Sequence, residues 1–217
     1  VYRALDPRLP ESVNLERWPE RNPALRDKAL EDAMEKLMLA VSLSHSARQA
    51  RGLKRRWPLK EAVLVADRAV LEALRPYEAL FMELANVKSV KFVEPGQEPE
   101  GPEWSASSEA GLSVFLYTVR DKALVGEGLM RDVARRIQAL RRDMGFKPTD
   151  ILDEVHVAGL TEDDLELLRP FLDALKDLVR AREVNLYLGR PEGPEFEGLS
   201  WKEYKIDKLS LIHISEP

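Results

Sequence analysis

EGLMRDVARRIQALRRDMGFKPTD, Glu127 to Asp150, is the stretch on which the reading of the chain turns. Leu129, Val133, Ile137, Leu140 and Met144 recur at steps of four, four, three and four. At about 3.6 residues per turn this spacing gathers them into one apolar stripe. Arg131, Arg135, Gln138 and Arg142 fall nearly opposite, with Arg136 and Arg141 on the flanks. Gly145 supplies a stop, and Pro148 prevents the helix from resuming. The stretch predicts a core-facing helix with an arginine-rich outer face. That face is either a solvated surface or a patch that meets an anionic partner, and the helix alone supports both readings.

The surrounding composition is that of a soluble globular chain, 44% hydrophobic and 33% charged over 217 residues. This length suffices for one large domain or two small ones. No apolar run approaches the roughly 18 residues that span a bilayer. Val1–Pro10 has neither the basic start nor the apolar core of a signal peptide. The absence of cysteine excludes disulfides, thiol nucleophiles and thiolate metal sites, and it fits a cytoplasmic location. A formal net charge of −5 excludes a globally basic nucleic-acid binder, so any such surface has to be a local patch. VYRALDPRLPESVNLERWPE reads as the end of one element followed by a polar connector, so the chain is expected to be a fragment.

In chain order, Pro23 to Arg51 has a helical pattern with Asn22 as N-cap, Gly52 as stop and one face marked by Ala29, Ala33, Leu37, Val41 and Ser44. Residues 1–50 are expected to depend on neighbouring helices, with an apolar face around Leu37 and Val41. Between Arg48 and Lys60 stand six basic residues and no acid: Arg48, Arg51, Lys54, Arg55, Arg56 and Lys60. Trp57 lies among them, and Pro58 keeps the segment out of a helix. Basic side chains neutralise phosphates and an indole stacks on an unpaired base. Equally, arginines cover a helix C-terminus while a tryptophan fills a core.

Glu61–Ala66 predicts a buried strand, Asp67 a cap, and Pro76 a restarted helix through Leu84. Val87–Val93 alternates at period two as a second strand, completing a βαβ-like unit. Glu94–Ser108, rich in Pro, Gly and Glu, predicts a mobile loop. Leu112–Val119, Asp153–Val157, Glu183–Leu188 and Trp201–Ile206 predict further strands. Thr161 with Asp164 forms a capping box for a helix that buries Leu165, Leu168, Leu172, Leu175 and Val179. The last nine residues, LSLIHISEP, follow no earlier pattern and read as the translation of adapter DNA, a non-native tail. The expected class is α+β: an N-terminal helical segment followed by a small domain with helices packed on a mixed sheet.

Catalytic patterns are missing from this reading. His45, His156 and His213 share no ligand spacing, and a histidine inside a strand such as His156 reads as structural. No GxxxxGK loop, strand-linked GxGxxG or GxSxG elbow is present. Gly126 and Gly128 are too few for a phosphate loop. Glu162, Asp163 and Asp164 favour a helix dipole rather than form an acid–base pair. No catalytic and no metal-ligating residue is assigned.

Four stretches in order resemble isoleucyl-tRNA synthetase, a class I aminoacyl-tRNA synthetase family, on its C-terminal, anticodon-binding side. They are ESVNLERWPE (Glu11–Glu20), ARQARGLKRRWPLKEAVL (Ala47–Leu64), MELANVKSVKFV (Met82–Val93) and EGLMRDVARRIQALRRDMGFKPTDIL (Glu127–Leu152). The wording GFKPTDIL is similar to the archaeal and eukaryotic-like branch. The resemblance implies that residues 1–57 end a helical anticodon-binding bundle, that 58–208 form a C-terminal tRNA-binding domain, and that 209–217 lie outside both. It implies a monomeric, cytoplasmic ligase that joins isoleucine to its tRNA, with ATP and Mg bound in a catalytic part not contained here and no cofactor in this segment. It implies tRNA contacts from Arg48, Arg51, Lys54, Arg55 and Arg56, with Trp57 stacking or supporting the turn. A second patch comprises Arg131, Arg135 and Arg142. The equivalent region of a valyl- or leucyl-tRNA synthetase is one alternative. A non-catalytic interaction module acting through the acidic helix Thr161–Arg180 is another.

Overall fold

The structure is a computed structural model. It describes residues 22–189 throughout, together with 8, 11–15, 17, 18, 20, 191–193, 196, 201–206 and 208–214, with backbone alone at 25, 204–206 and 208–214. Two compact units are distinguished, Val1–Glu35 and Lys36–Pro217. In the first, Asn22 caps a short 3-10 turn, Pro23–Leu25, by accepting from the Ala24 amide at 3.1 Å. Helix α1, Lys28–Ala50, begins later than the sequence pattern suggests. Its inner face carries Leu37, Ala40, Ser44 and Ala47, all buried, while Val41 is half-buried.

The second unit is α+β with helices packed on mixed sheets, as expected, and its strands form two four-stranded sheets. The first has the order β2-β1-β4-β3 and the second β6-β5-β8-β7. In the first, β1 (Ala62–Val65) pairs in parallel with β2 (Val90–Val93) and antiparallel with β4 (Leu112–Tyr117). Helices α2 (Arg68–Leu74) and α3 (Glu78–Ala85) form the crossover, joined by a 3-10 turn at Arg75–Tyr77. β1 is buried on both faces, whereas β4 alternates and buries Leu112, Val114 and Leu116, in the register Ala62↔Leu116 and Leu64↔Val114.

β3, Trp104–Glu109, lies within the stretch read as a mobile loop. Its WSASSE sequence has little apolar character, which suits an edge strand. Its pairing with β4 is set by the two-residue turn Ala110–Gly111, where both φ values are positive at 48° and 77°. Because this hairpin supplies β1 with its second neighbour, the first sheet is complete before the later strands enter.

Helix α4, Lys122–Asp143, starts five residues before the quoted stretch because Asp121 caps it, accepting from the Leu124 amide at 2.9 Å. Leu129, Val133, Ile137 and Leu140 are buried as the stripe predicts. Met144 lies past the last helical residue and is 41% exposed. Beneath α4 the second sheet repeats the first. β5 (Leu152–Leu160) pairs in parallel with β6 (Ala181–Leu188) and antiparallel with β8 (Lys208–Ile214), which also pairs with β7 (Lys202–Ile206). The Thr161 capping box is present. The helix it opens is divided by the 3-10 turn Arg169–Phe171 at Pro170 into α5 (Glu162–Leu168) and α6 (Leu172–Val179). Leu168, Leu175 and Val179 join the α4 stripe and β5 in one core. Residues 209–214, expected to be a foreign tail, supply most of β8, and 215–217 lie outside the described residues. His156 is structural as expected: it is buried, with Nδ1 3.0 Å from the Tyr187 hydroxyl. We refer to residues 36–117 and 122–214 as the first and second modules.

Candidate nucleic-acid interface

Where α1 ends, Gly52 takes φ +63° and the chain turns back through Lys54–Trp57. Every carbonyl of this turn meets a side chain. Arg48 donates to the carbonyls of Lys54 and Trp57 at 3.3 and 2.9 Å. Asn86 Nδ2 donates to that of Arg55 at 2.9 Å, and Arg131 to that of Arg56 at 3.4 Å. With its carbonyls turned inward, the turn sends the Arg55 and Arg56 side chains outward. Among the described residues neither guanidinium has a hydrogen-bond or ion-pair partner.

These two arginines line an open cleft of about 890 Å³ that also includes Lys88, Arg131, Met82 and Asn86. Asn86 sits at the C-cap of α3 with φ 52°, a conformation asparagine tolerates better than most residues. Its Oδ1 accepts from Arg131 at 2.9 Å. Glu127 Oε1 accepts from Arg131 at 2.7 Å, and Glu127 Oε2 lies 2.7 Å from Lys88 Nζ. One carboxylate thus holds two of the four cations, leaving Arg55 and Arg56 without a direct carboxylate contact among the described residues. Glu78 and Glu83 also line the cleft. The arrangement can bind an anion with its backbone spread along the cationic wall.

Residues far apart in the sequence are therefore brought together, Arg55 and Arg56 from one predicted patch and Arg131 from the other. The remaining candidates are placed differently. Arg48 is 1% exposed and also donates to the carbonyls of Ala85 and Asn86, both at 2.8 Å. Its guanidinium is spent on the C-terminal end of α3 and the turn, so it cannot present itself to a phosphate. Burial, then nearby Arg120, lower its pKa to about 10. It remains a cation at neutral pH, held by carbonyl dipoles at a helix C-terminus.

Trp57, 7% exposed, is a core residue, a placement that suits supporting the turn and offers no open ring face for stacking. Its Nε1 donates to Asp132 at 2.9 Å, and it packs on α4 so closely that Gly128 has no room for a Cβ. Lys54 pairs with Asp132 at 3.3 Å and lies over the indole, 5.1 Å from its centroid. Arg51 donates to the carbonyls of Pro102 and Trp104. Arg135 and Arg142 are exposed on α4 and outside the cleft lining. Lys88, Asn86 and Glu127 were not among the candidates. The signal for Asn86 was an asparagine directly after a helical run, where a left-handed cap is common.

His45, half-buried, contacts the Leu84 carbonyl. Burial, then Arg55, hold its pKa below the ordinary histidine value despite that hydrogen bond. Among the described residues no group of three or more His, Asp or Glu side chains is placed to hold a metal ion. No described helix is long and apolar enough to cross a membrane.

Comparison with known proteins adds a family to this geometry. The chain is 39% identical to the isoleucine–tRNA ligase of Thermus thermophilus over 81% of its own length and 22% of that protein. It is 32% identical to the isoleucine–tRNA ligase of Pyrobaculum aerophilum over 94% of itself and 19% of the relative. The isoleucine–tRNA ligase of Dehalococcoides mccartyi strain CBDB1 is 31% identical, over 87% of this chain and 18% of that one. The chain is related to a region of the isoleucine–tRNA ligases. It spans about a fifth of the length of these curated relatives. No family model matches it.

Proposed function

We propose that this chain is the tRNA-binding, C-terminal region of an isoleucine–tRNA ligase, the whole enzyme joining isoleucine to its tRNA at the expense of ATP. In this reading Arg55 and Arg56 contact tRNA phosphates on the anticodon side, Lys88 and Arg131 form the wall beside them, and Arg135 and Arg142 extend the cationic face along α4. Arg48, Arg51, Lys54 and Trp57 build the turn instead of touching RNA. ATP and Mg belong to a catalytic part outside this segment, and the enzyme acts as a cytoplasmic monomer. The observation that carries the reading is the convergence of Arg55, Arg56 and Arg131 in one open cleft, with the arginine pair unpaired among the described residues. The name shared by the relatives favours isoleucine over valine or leucine.

The test is binding of the chain to a transcript of isoleucine tRNA and to an unrelated tRNA across a salt series. Each phosphate contact to a single-stranded segment contributes about −0.7 to the slope of log K against log salt. Arg55→Ala/Arg56→Ala should therefore flatten the slope by about 1.4. An unchanged slope would remove the pair from the interface. A scaffold role for the acidic helices α5 and α6 predicts no tRNA affinity at any salt.

A further inference from the structure

The buried arginine at the root of the cleft occurs twice. In the second module Arg141, 2% exposed, donates to the carbonyls of Lys147 at 3.1 Å, Asp150 at 2.7 Å and Val179. The first two lie six and nine residues ahead of it. Arg48 reaches carbonyls at the same two distances along the chain, Lys54 and Trp57, and then Ala85 at the end of α3. The surroundings repeat as well. A glycine with positive φ follows each helix, Gly52 at 63° and Gly145 at 84°. The amide of the next residue bonds the buried arginine's own carbonyl, Leu53 to Arg48 at 2.9 Å and Phe146 to Arg141 at 3.0 Å. The last helix of each crossover ends in a left-handed residue, Asn86 at φ 52° and Arg180 at φ 53°. One turn before the buried arginine, His45 contacts the Leu84 carbonyl and Gln138 donates to the Leu178 carbonyl. The crossover sequences share Leu-Glu-x-Leu-Arg-Pro, at Leu71–Pro76 and Leu165–Pro170.

The two copies differ in what the clamped turn displays. Between Lys54 and Trp57 stand Arg55 and Arg56; between Lys147 and Asp150 stand Pro148 and Thr149, both exposed. We propose that the chain contains two copies of one module whose buried arginine is a clamp for a two-residue display turn, and that Arg48 is a positioning residue that acts on RNA only through Arg55 and Arg56. The RNA part rests on the function proposed above; the clamp does not. The planar guanidinium suits this task because its five donors reach both the turn and the helix end at once, whereas the single ammonium of a lysine cannot span them.

The test combines Arg48→Lys, which keeps the charge, with Arg55→Ala/Arg56→Ala and the triple variant in the full chain, each titrated with the isoleucine tRNA transcript. If Arg48 acts through the pair, Arg48→Lys flattens the salt slope toward that of the double variant. The change in affinity between about 50 and 200 mM salt then shrinks about sevenfold, the equivalent of two contacts. On the double-variant background, Arg48→Lys adds nothing. Effects that multiply would overturn the positioning role.

Amide hydrogen exchange provides a readout that does not depend on RNA. Arg48→Lys should accelerate exchange locally at residues 54–57, and Arg141→Lys at 147–150 with tRNA binding unchanged. Acceleration spread evenly over a module would overturn the clamp. Should Arg48→Lys fail to fold by circular dichroism, Asn86→Gly keeps the left-handed cap and removes the bond to the Arg55 carbonyl together with the acceptor of Arg131, so it is compared on an Arg131→Ala background. It must then show the same non-additivity with the arginine pair. A wild-type chain that binds no tRNA while both local exchange patterns appear would refute the proposed function and leave the clamp standing.

Discussion

Gly128 offers the sharpest test of how the first module is seated on α4. A Cβ at this position would lie 2.5 Å from Trp57 Cδ2 and 2.7 Å from Cε3, whereas carbon atoms in good contact stand about 3.5–4.0 Å apart. Roughly 1 Å of movement is therefore needed. The indole is poorly placed to provide it: its Nε1 is tied to Asp132, and Lys54 and Arg120 lie over the ring at 5.1 and 4.7 Å from its centroid. At an unconstrained position inside a helix, Gly→Ala stabilises by about 1 kcal/mol. Overpacking a close contact costs about 1–3 kcal/mol, and a rigid, tethered ring puts this site at or beyond the top of that range. The expected net effect of Gly128→Ala is a loss of about 2 kcal/mol. For a chain of this size that lowers Tm by about 4–8 °C, measured by circular dichroism. The sign is the test, because a protein as stable as wild type or more so would mean that the indole does not pack on Gly128.

Three further outcomes follow from local geometry. In Gly126→Ala the new Cβ would stand 2.5 Å from the Leu167 carbonyl oxygen; a backbone atom yields less readily than a side chain, so the urea midpoint should fall at least as far as for Gly128→Ala. Thr161→Ala removes the capping box of α5 and should cost about 1 kcal/mol in urea unfolding; no change would show that the box is dispensable. His45 has a folded pKa below its unfolded value, so the folded chain binds fewer protons, and stability fully present above about pH 6.5 is lost progressively as the pH falls from there through the lower folded pKa. His45→Gln, which substitutes the residue found at the equivalent position 138, should retain stability at pH 7 and lose this acid-side decline. Parallel pH profiles for the two proteins would refute the assignment.

Much of the fold was legible because it depends on local period. The α4 stripe, the continuous apolar run of β1, the β-branched and aromatic residues of β4 and the Thr161 box each rest on a few neighbouring residues. The placement of the basic run was not legible in the same way, because a count of charges treats every arginine alike. Helical period contains the missing information: Leu37, Ala40, Ser44 and Ala47 make the buried stripe of α1, and Arg48 is four residues beyond Ser44 and so lies on it. Arg141 stands in the same relation to Ile137. A cation on an apolar stripe at a helix C-terminus is a signal for carbonyl capping, not for a phosphate site. The division into two sheets was hidden for another reason. β3 has no hydrophobic pattern of its own and is recognised only through its hairpin with β4.

The two glycines of α4 follow from the same division. Residues two apart on a helix project about 200° apart around the axis, on nearly opposite sides. Gly128 meets Trp57 of the first module, while Gly126 meets the Leu167 carbonyl and the Phe171 ring of the second. A helix that contributes Val133 and Ile137 to the core of one module and also walls the other must approach backbone or a large ring on both sides within a single turn. A side chain on either side would hold one of them off. Gly126 and Gly128, too few to cradle a phosphate, are instead the positions where α4 fits between two modules, and Arg131, one turn on from Gly128, enters the cleft from this seat.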